Sequence, residues 1–388
     1  MRGSITQRSP GSYRIQWYCG KNEQGKAKYH NKTIKGTKKQ AQTALNQILA
    51  DLQRGTHVEP AKIKTGEWIR LCLSDYIVGT VSERTLQGYN EIAEKHLYTA
   101  FENLNLCDVQ ASHIQKYYTD KLADGGRVDG KEGGLSPVTV CHHHALLSRI
   151  FRLAVYHDKI VRNPMLKVTP PRAPEQERDA FTEAELKKLL AYCRERKQGK
   201  EHGRYDIPIL IAAYTGLRLS EVLALRWQDI SVARKTVSVQ QVIDHTTTGG
   251  LKLKEPKTKK SRRTIPVHPM LFRRLAPWRR ELRGKIARLG EAWQGDGTLI
   301  CPDDLGRLRN PSTASSMIIK LIKDSGVRQL GMHALRHTYA THKLHQGVNL
   351  RALQDLLGHS VVNTTARYTH VSDGYLSGII NGIINSPE

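Results

Sequence analysis

The side chains best suited to chemistry lie in the second half of the chain, and the first of them is an arginine. In TGLRLSE, Arg218 stands at the start of a predicted helix among apolar residues, with Glu221 one turn later. A guanidinium in so apolar a setting needs an anion, and its rigid fork matches the oxygens of a phosphate group. A structural ion pair between Arg218 and Glu221 is the plainer interpretation. Lys257 follows in the basic stretch EPKTKKSRR, at the expected tip of a β-hairpin, where most lysines are simply solvated.

Two further candidates share one face of a predicted helix in HALRHTYATHKLHQG. His333 and Arg336 are three residues apart, which places them side by side on a helix. His337 lies one turn after His333 and could indicate a metal site. However, no glutamate follows His333 as in the HExxH motif, and no acidic third ligand is near, so the sequence predicts no metal and no other cofactor.

A histidine and a tyrosine follow near the end of the chain, in LLGHSVVNTTARYTH. The pattern NLRALQDLLGH predicts a helix that is capped by Asn349 and ends at Gly358, so that His359 comes directly after it. Tyr368 lies nine residues beyond His359, after a predicted turn. By itself Tyr368 could be a packing residue, and only the other candidates give it a chemical meaning.

The composition of the 388-residue chain indicates a polyanionic partner. It carries 61 Lys and Arg against 36 Asp and Glu, a net charge of +25, which favours nucleic acid first and an anionic membrane surface second. There is no apolar run of about 18 residues and no apolar signal-peptide core, so neither a membrane span nor secretion is expected. The six cysteines are widely spaced, which is typical of reduced thiols in a cytoplasmic protein rather than of disulfides or zinc ligands.

The elements that must position these residues fall into three predicted domains of a multidomain α+β protein. Residues 1–62 form a three-stranded sheet plus a helix: SYRIQWYC alternates as one strand, GKAKYHNKTIKG supplies one or two more, and a helix begins after Thr37. Through Lys64 there are 13 Lys and Arg against 3 Asp and Glu. A sheet of that charge could enter the major groove of DNA, and a solvated basic face is the alternative.

Residues 65–165 are predicted to be all helical, with helices beginning at Ser82, Ser112 and Ser136. The CHHH stretch at 141–144 invites a metal interpretation. Consecutive residues of a helix point in different directions and cannot converge on one ion, so these side chains are expected to be structural.

Residues 166–177 form a proline-rich linker, and a third domain follows at 178–388. It opens with a capping box between Thr182 and Glu185. The rest of this domain is mainly helical, with one small antiparallel sheet predicted from TVSVQQVI, LKLKEPK and RRTIPVH.

Together these motifs resemble the tyrosine recombinase (phage integrase) family, and more narrowly the integrases of phages and conjugative transposons. The resemblance rests on TGLRLSE, PKTKKSRR, HxLRH, LLGH and the final tyrosine, which occur here in the order that the family has them. It implies a support role for Glu221 and six catalytic residues: Arg218, Lys257, His333, Arg336, His359 and the nucleophile Tyr368.

The resemblance implies a reaction on the DNA backbone. The two arginines would stabilise the charge that builds on a phosphodiester under attack. Tyr368, whose phenol has an ordinary pKa of about 10, would need a base, and the family assigns that duty to the residue at His333. His359 would hydrogen-bond the phosphate, and Lys257 would protonate the departing 5′-oxygen. A 3′-phosphotyrosyl link would then allow strand exchange through a Holliday junction without metal or ATP, integrating and excising a mobile element.

The same resemblance implies the partners. Residues 1–62 would bind arm-type DNA sites, residues 65–165 would bind core sites, and a homotetramer would assemble on DNA in the bacterial cytoplasm, associated with the nucleoid. An excisionase or a DNA-bending host factor would be the accessory partner. The candidate DNA-binding residues are Arg14, Gln16, Tyr18, Lys26, Lys28, Lys259, Lys260 and Arg262.

The end of the chain carries an apolar stripe at helical spacing, in YLSGIINGIIN. It predicts a tail helix over residues 374–388 that packs either on its own domain or, as in the family, on a neighbouring protomer.

Two other functions stay open. One is a type IB topoisomerase, which nicks and reseals one duplex with a similar set of residues; the basic N-terminal domain and the apolar tail favour a recombinase instead. The other is a DNA-binding regulator without chemistry, which would not need Tyr368.

Overall fold

The computed structural model divides the chain into two compact units, residues 1–175 and 176–388, and has the α+β character predicted from the sequence. The residues it describes are 3–21, 26–53, 63–174, 179–195, 204–246, 249–256 and 261–358. Within these segments, no helix has the length and apolar character needed to cross a membrane.

The first unit opens with a three-stranded antiparallel sheet. Its strands lie in chain order and a helix follows: β1 (Gly3–Ser9), β2 (Ser12–Lys21), β3 (Ala27–Lys35) and α1 (Lys38–Gln53). Thr37 begins α1 because its hydroxyl accepts the backbone N–H of Gln40 at 3.3 Å. Ile15 and Trp17 of β2 are buried in a small core shared with α1, as the alternation of SYRIQWYC predicts.

The helical part of the first unit is built around an aromatic core. Its helices are α2 (Thr65–Leu71), α3 (Glu83–Ile92), α4 (Tyr98–Phe101), α5 (Ala111–Leu122) and α6 (Pro137–Tyr156). Ser82 and Ser136 cap α3 and α6 as predicted, each accepting the backbone N–H three residues later. Trp68, Phe101 and Phe151 fill the core and are at most 2% exposed.

Two histidines of the CHHH stretch, His143 and His144, form hydrogen bonds with tyrosines of α5, the structural role expected of them. His143 is buried, and its Nδ1 lies 2.8 Å from the hydroxyl of Tyr117. Nδ1 of His144 lies 2.9 Å from the hydroxyl of a different tyrosine, Tyr118. Burial lowers the pKa of His143 to about 4, so the ring is neutral at pH 7.

The second unit is mainly helical. Its helices are α7 (Glu183–Glu195), α8 (Asp206–Thr215), α9 (Leu219–Leu223), α10 (Met270–Leu289), α11 (Pro311–Asp324), α12 (Met332–His345) and α13 (Leu350–Leu357). The predicted capping box is present, because Thr182 and Glu185 exchange hydrogen bonds between backbone N–H groups and side-chain oxygens. Ile209, Leu223 and Leu335 lie in the apolar core and are fully buried.

The described strands of the second unit form two separate sheets, whereas the sequence predicted one. The strands are β4 (Ile230–Ser231), β5 (Thr236–Val239), β6 (Val242–Thr246), β7 (Gly250–Lys254) and β8 (Arg263–Pro266). A three-stranded antiparallel sheet has the order β4-β5-β8, and β6 and β7 form a hairpin. TVSVQQVI is therefore two strands in two sheets, because alternation predicts a strand but not which distant strand it pairs with.

Three details of the sequence prediction are wrong. The third N-terminal strand is β1, which was missed, whereas GKAKYHNKTIKG supplies one strand, β3, the lower of the two numbers expected of it. α5 begins at Ala111 rather than at Ser112, because the backbone N–H of Gln110 donates to the ring of His113 and starts the helix earlier. Among the described residues, β7 and β8 pair with other strands and not with each other, so they do not form the hairpin expected to carry Lys257 at its tip.

Candidate active site

The first turn of α9 places Arg218 and Glu221 together. The backbone N–H of Arg218 donates to Oε2 of Glu221 at 2.8 Å, and its Nη1 donates to Oε1 at 3.2 Å. The carboxylate is 2% exposed, whereas the side chain of Arg218 is 36% exposed. The ion pair that was the plainer interpretation of these residues is thus formed, and it holds Arg218 with its side chain still open to solvent.

A second guanidinium, that of Arg263 in β8, binds the carboxylate of Glu221. Arg263 donates from Nη1 to Oε1 of Glu221 at 3.0 Å and from Nη2 to Oε2 at 3.1 Å. Sequence reasoning missed this residue because it lies within a basic run that favours solvated side chains. The alternation of RTIPV indicates that Arg263 points inward, since it shares its strand face with Ile265 and Val267, which are both buried.

Arg336 brings a third guanidinium to the site from α12. It is 3% exposed and its Nη1 lies 4.0 Å from Oε2 of Glu221. Its Nη1 also donates to the carbonyl of Gly216 at 2.8 Å, and its Nη2 donates to the carbonyl of Leu357 at 2.6 Å. These two carbonyls lie where α8 and α13 end, where the helix itself offers them no N–H donor, and they orient Arg336.

Glycines end both of these helices beside the arginines. Gly216 and Gly358 have φ of +66° and +67°, which glycine adopts without strain. As predicted, Asn349 caps α13 by accepting the backbone N–H of Ala352 at 2.8 Å. Leu357 and Gly358 thus end α13 in contact with Arg336 and Arg263.

The electrostatics favour an anion. Burial alone would raise the pKa of Glu221, but the hydrogen bonds and charge of Arg263, followed by those of Arg218, hold the pKa below its ordinary value. The carboxylate is therefore ionised, and three guanidinium groups surround it. The three positive charges exceed the single negative charge of Glu221, so the surroundings of this carboxylate can attract a further anion such as a phosphate group.

The remaining described side chains of α12 differ in exposure. His333 is exposed, whereas Arg336, three residues later, is buried. Tyr339 packs beneath Gly216 and is 7% exposed. Burial raises the pKa of Tyr339, although the charge of Arg263 partly opposes this, so its phenol is poorly suited to act as a nucleophile.

Five of the predicted residues lie outside the described segments: Lys257, Lys259, Lys260, His359 and Tyr368. The same holds for the tail 374–388. Arg262 is exposed and forms an ion pair with Glu255.

The predicted DNA-binding face of β2 is partly open. Arg14, Gln16 and Tyr18 alternate with the buried Ile15 and Trp17 and are each half-buried. Tyr18 packs edge-on against Tyr29 of β3, with 5.7 Å between ring centroids.

Two further predicted residues lie at the start of β3: Lys26 directly precedes the strand and Lys28 is its second residue. Lys26 is exposed, and the side chain of Lys28 lies outside the described part of the structure. Nowhere in the described residues do three or more His, Cys, Asp or Glu side chains group so as to hold a metal ion.

Comparison with known families matches two parts of the chain. Residues 179–374, half of the chain, match the model of the phage integrase family, and residues 66–122 match the phage integrase N-terminal SAM-like domain. A "Tyrosine recombinase XerC-like" protein of Caldanaerobacter subterraneus subsp. tengcongensis is 29% identical over 384 residues, covering 92% of each chain. An "Integrase" of Saccharopolyspora erythraea is 24% identical and covers 76% of each chain.

Solved structures share the fold. The integrase of transposon Tn1549 in complex with transposon right end DNA is 20% identical, with a TM-score of 0.66 over 83% of this chain and 100% of that one. A lambda integrase tetramer bound to a Holliday junction is 15% identical, with a TM-score of 0.54 over 94% of each chain.

Proposed function

The chain belongs to the phage integrase family of tyrosine recombinases, enzymes that break and rejoin DNA, and on that premise we propose that it is the site-specific integrase of a mobile element. The observation that carries the proposal is the meeting of Arg218 and Arg336 at the two oxygens of Glu221. Two guanidinium groups fixed side by side can bind the non-bridging oxygens of one phosphodiester. The remaining motif residues supply what a transesterification needs.

The proposed reaction begins with attack by the phenol oxygen of Tyr368 on a DNA phosphorus. His333 accepts the phenol proton, and Arg218 and Arg336 stabilise the charge that develops on the phosphate. His359 hydrogen-bonds the same phosphate. Lys257 gives a proton to the departing 5′-oxygen, which is otherwise a poor leaving group.

One ester bond replaces another in this step, so its energy is conserved. A bond between the tyrosine oxygen and phosphorus forms as the bond from phosphorus to the 5′-oxygen breaks, which leaves a 3′-phosphotyrosyl link and a free 5′-hydroxyl. Attack by the 5′-hydroxyl of a second duplex reverses the exchange and joins the two DNAs. The reaction thus requires neither ATP nor a metal ion, and two successive exchanges pass through a Holliday junction.

The assembly that we propose has three DNA-facing parts. Residues 1–62 bind arm-type sites through the basic sheet, residues 65–165 bind the core site, and residues 178–388, after the linker 166–177, carry the chemistry. The excess of positive charge and the DNA-bound integrases of similar fold support this division. A homotetramer, like that of lambda integrase on a Holliday junction, would bring four tyrosines to two duplexes, with the tail 374–388 joining the protomers.

The proposed location and accessory partners follow from the substrate. Because the DNA of a mobile element and of its bacterial host lies in the cytoplasm, the protein would act there, on the nucleoid. An excisionase or a DNA-bending host factor would bias integration against excision.

A suicide substrate tests the chemistry directly. A core site with a nick next to the cleavage position loses the short 5′-hydroxyl strand by diffusion, so that rejoining stops and the protein stays covalently attached. We expect wild type to accumulate a denaturation-resistant protein–DNA adduct. Tyr368→Phe should bind the same DNA with unchanged affinity and form no adduct, because only the attacking oxygen is lost. If wild type forms no adduct on any candidate site, the proposed chemistry is wrong.

Holliday junctions distinguish a recombinase from a topoisomerase. Two intact duplexes with the same core site should yield four-way junctions with wild type, detectable by two-dimensional electrophoresis. A protein that only relaxes supercoils under these conditions would instead be a type IB topoisomerase. Footprinting on the ends of candidate elements would then show whether arm-type sites are protected separately from core sites.

A further inference from the structure

We propose that Arg263 is a positioning residue that keeps Arg218 available for the DNA phosphate, an inference that rests on the proposed function. Arg263 is 7% exposed at its side chain and is bonded to the 2% exposed carboxylate of Glu221 through two parallel hydrogen bonds. Paired bonds of this kind between guanidinium and carboxylate are the strong and geometrically specific form of the interaction.

The bonds from Arg263 to Glu221 affect catalysis in this proposal because the negative charge of Glu221 also attracts Arg218. Arg218 gives that carboxylate one side-chain hydrogen bond, from Nη1 at 3.2 Å, and its side chain is 36% exposed. A buried carboxylate that lacked Arg263 would draw the whole fork of Arg218 onto itself, because an unpaired buried charge is costly. Arg218 would then be neutralised and turned away from the phosphate. Because Arg263 already gives the carboxylate two hydrogen bonds, the positive charge of Arg218 stays available for the phosphate.

The same guanidinium also joins the segments that carry the other motif residues. Its Nε donates to the carbonyl of Leu356 at 2.7 Å, and its Nη1 donates to the carbonyl of Ser261 at 3.1 Å. Arg263 also packs against Gly358, where an added Cβ would lie 2.9 Å from Nη1. Leu356 and Gly358 lie within three residues of His359 in LLGH, and Ser261 lies four residues after Lys257 in the same basic stretch.

The side chain of Arg263 therefore bonds to Glu221 in α9 and to two backbone carbonyls. One of these carbonyls lies close in sequence to His359 and the other close to Lys257. Fixing these backbone points contributes to the preorganisation that a reaction at one phosphate requires. Arg263 acts through Glu221 and the backbone, and it does not itself touch the reacting atoms in this proposal.

A rescue experiment separates this role from plain structural support. The suicide-substrate adduct rate at saturating protein and the DNA affinity by gel shift are measured for Arg263→Met, Glu221→Gln and the double variant. We expect Arg263→Met to slow adduct formation about 100-fold, because Arg218 no longer stabilises the charge of the transition state. The affinity for DNA should stay within about threefold of wild type. Adding Glu221→Gln should restore the rate by about tenfold, because the neutral amide no longer competes with the phosphate for Arg218.

Arg309→Met is the matched control. Arg309 is also a buried arginine, and its Nε donates to the carbonyl of Pro302 at 3.0 Å. It lies in the same unit but is not bonded to Glu221, so its loss should lower stability without slowing the adduct step. Should Arg263→Met fail to fold, Arg263→Lys carries the test: the charge stays, the fork is lost, and the rate should fall while affinity holds.

Four outcomes are decisive. If Arg263→Met reacts like wild type, or if the double variant is no faster than Arg263→Met, the positioning role is overturned. If Arg309→Met slows the adduct step as much as Arg263→Met does, the effect is general destabilisation and the role is again overturned. A wild type that forms no adduct at all refutes the proposed function instead, so the two failures are distinguishable.

Discussion

Replacing Gly216 with alanine should destabilise the second unit and disturb Arg336 at the same time. Gly216 ends α8 with φ of +66°, and this left-handed conformation costs an alanine about 1–2 kcal/mol. The added Cβ would lie 2.5 Å from Cδ1 of Tyr339 and 3.2 Å from Cδ2 of Leu357. Overpacking of a buried site costs about 1–3 kcal/mol more, so the free energy of unfolding should fall by about 2–5 kcal/mol.

Gly347→Ala provides the control for the backbone part of this loss. Gly347 follows α12 in the same unit with φ of +82°, and a Cβ placed there meets nothing within 4 Å. Its substitution should therefore cost only the conformational penalty, about 1–2 kcal/mol. Hydrogen exchange followed by mass spectrometry, on peptides that cover α8 in the full-length protein, measures the opening free energy for both variants.

The same substitution should impair catalysis. The carbonyl of Gly216 accepts Nη1 of Arg336 at 2.8 Å, and the carbonyl of Leu357 accepts Nη2. A Cβ that pushes Leu357 away moves both anchors of the guanidinium, and a misplacement of about 1 Å in a catalytic group costs about 100-fold in rate. Adduct formation on the suicide substrate should fall accordingly in Gly216→Ala and stay near wild type in Gly347→Ala. Equal stability and equal rates in the two variants would refute the described packing around Gly216.

Three further outcomes are expected. Because burial lowers the pKa of His143 to about 4 from the ordinary 6.5, the neutral ring stabilises the fold fully above pH 6.5, and this contribution, at most about 3 kcal/mol, is lost as the pH falls towards 4. Hydrogen exchange in α6 should show this loss in wild type and in the control His142→Gln, which replaces an exposed residue. The loss should be smaller in His143→Gln, and what remains there comes from His96 and His144, whose pKa values burial also lowers. Lys257→Ala should slow cleavage about 100-fold and should recover on a substrate with sulfur in place of the 5′-oxygen, because a thiolate leaves without a proton; no recovery would exclude the proposed acid role. Deleting residues 374–388 should weaken tetramer formation on DNA, measured by sedimentation, more than DNA affinity, and an intact tetramer would show that the tail does not join protomers.

The sequence predicted those parts of the molecule that depend on local chemistry. Asn349 and Gly358 bound α13 as expected, because a cap and a left-handed glycine act within one helical turn. The alternation of SYRIQWYC predicted a strand with Ile15 and Trp17 buried, because successive side chains of a strand point to opposite faces. β1 was missed, since GSITQRS has one apolar residue and its pairing with β2 supplies what its composition does not indicate.

The order and identity of the proposed catalytic residues rest on the sequence alone, since the proposed cleavage of a phosphodiester by a phenol would require particular side chains wherever they stand. The pairing of Arg218 with Glu221 was foreseen, because the two residues are three apart on a helix, but only the tertiary structure decided which charges distant in the sequence meet. Nothing in the spacing of Arg263 and Glu221 along the chain predicts their paired hydrogen bonds, and the carbonyls that orient Arg336 come from two helices distant in sequence. Such contacts depend on how strands and helices pack, and packing is a property of the whole fold rather than of any window of residues.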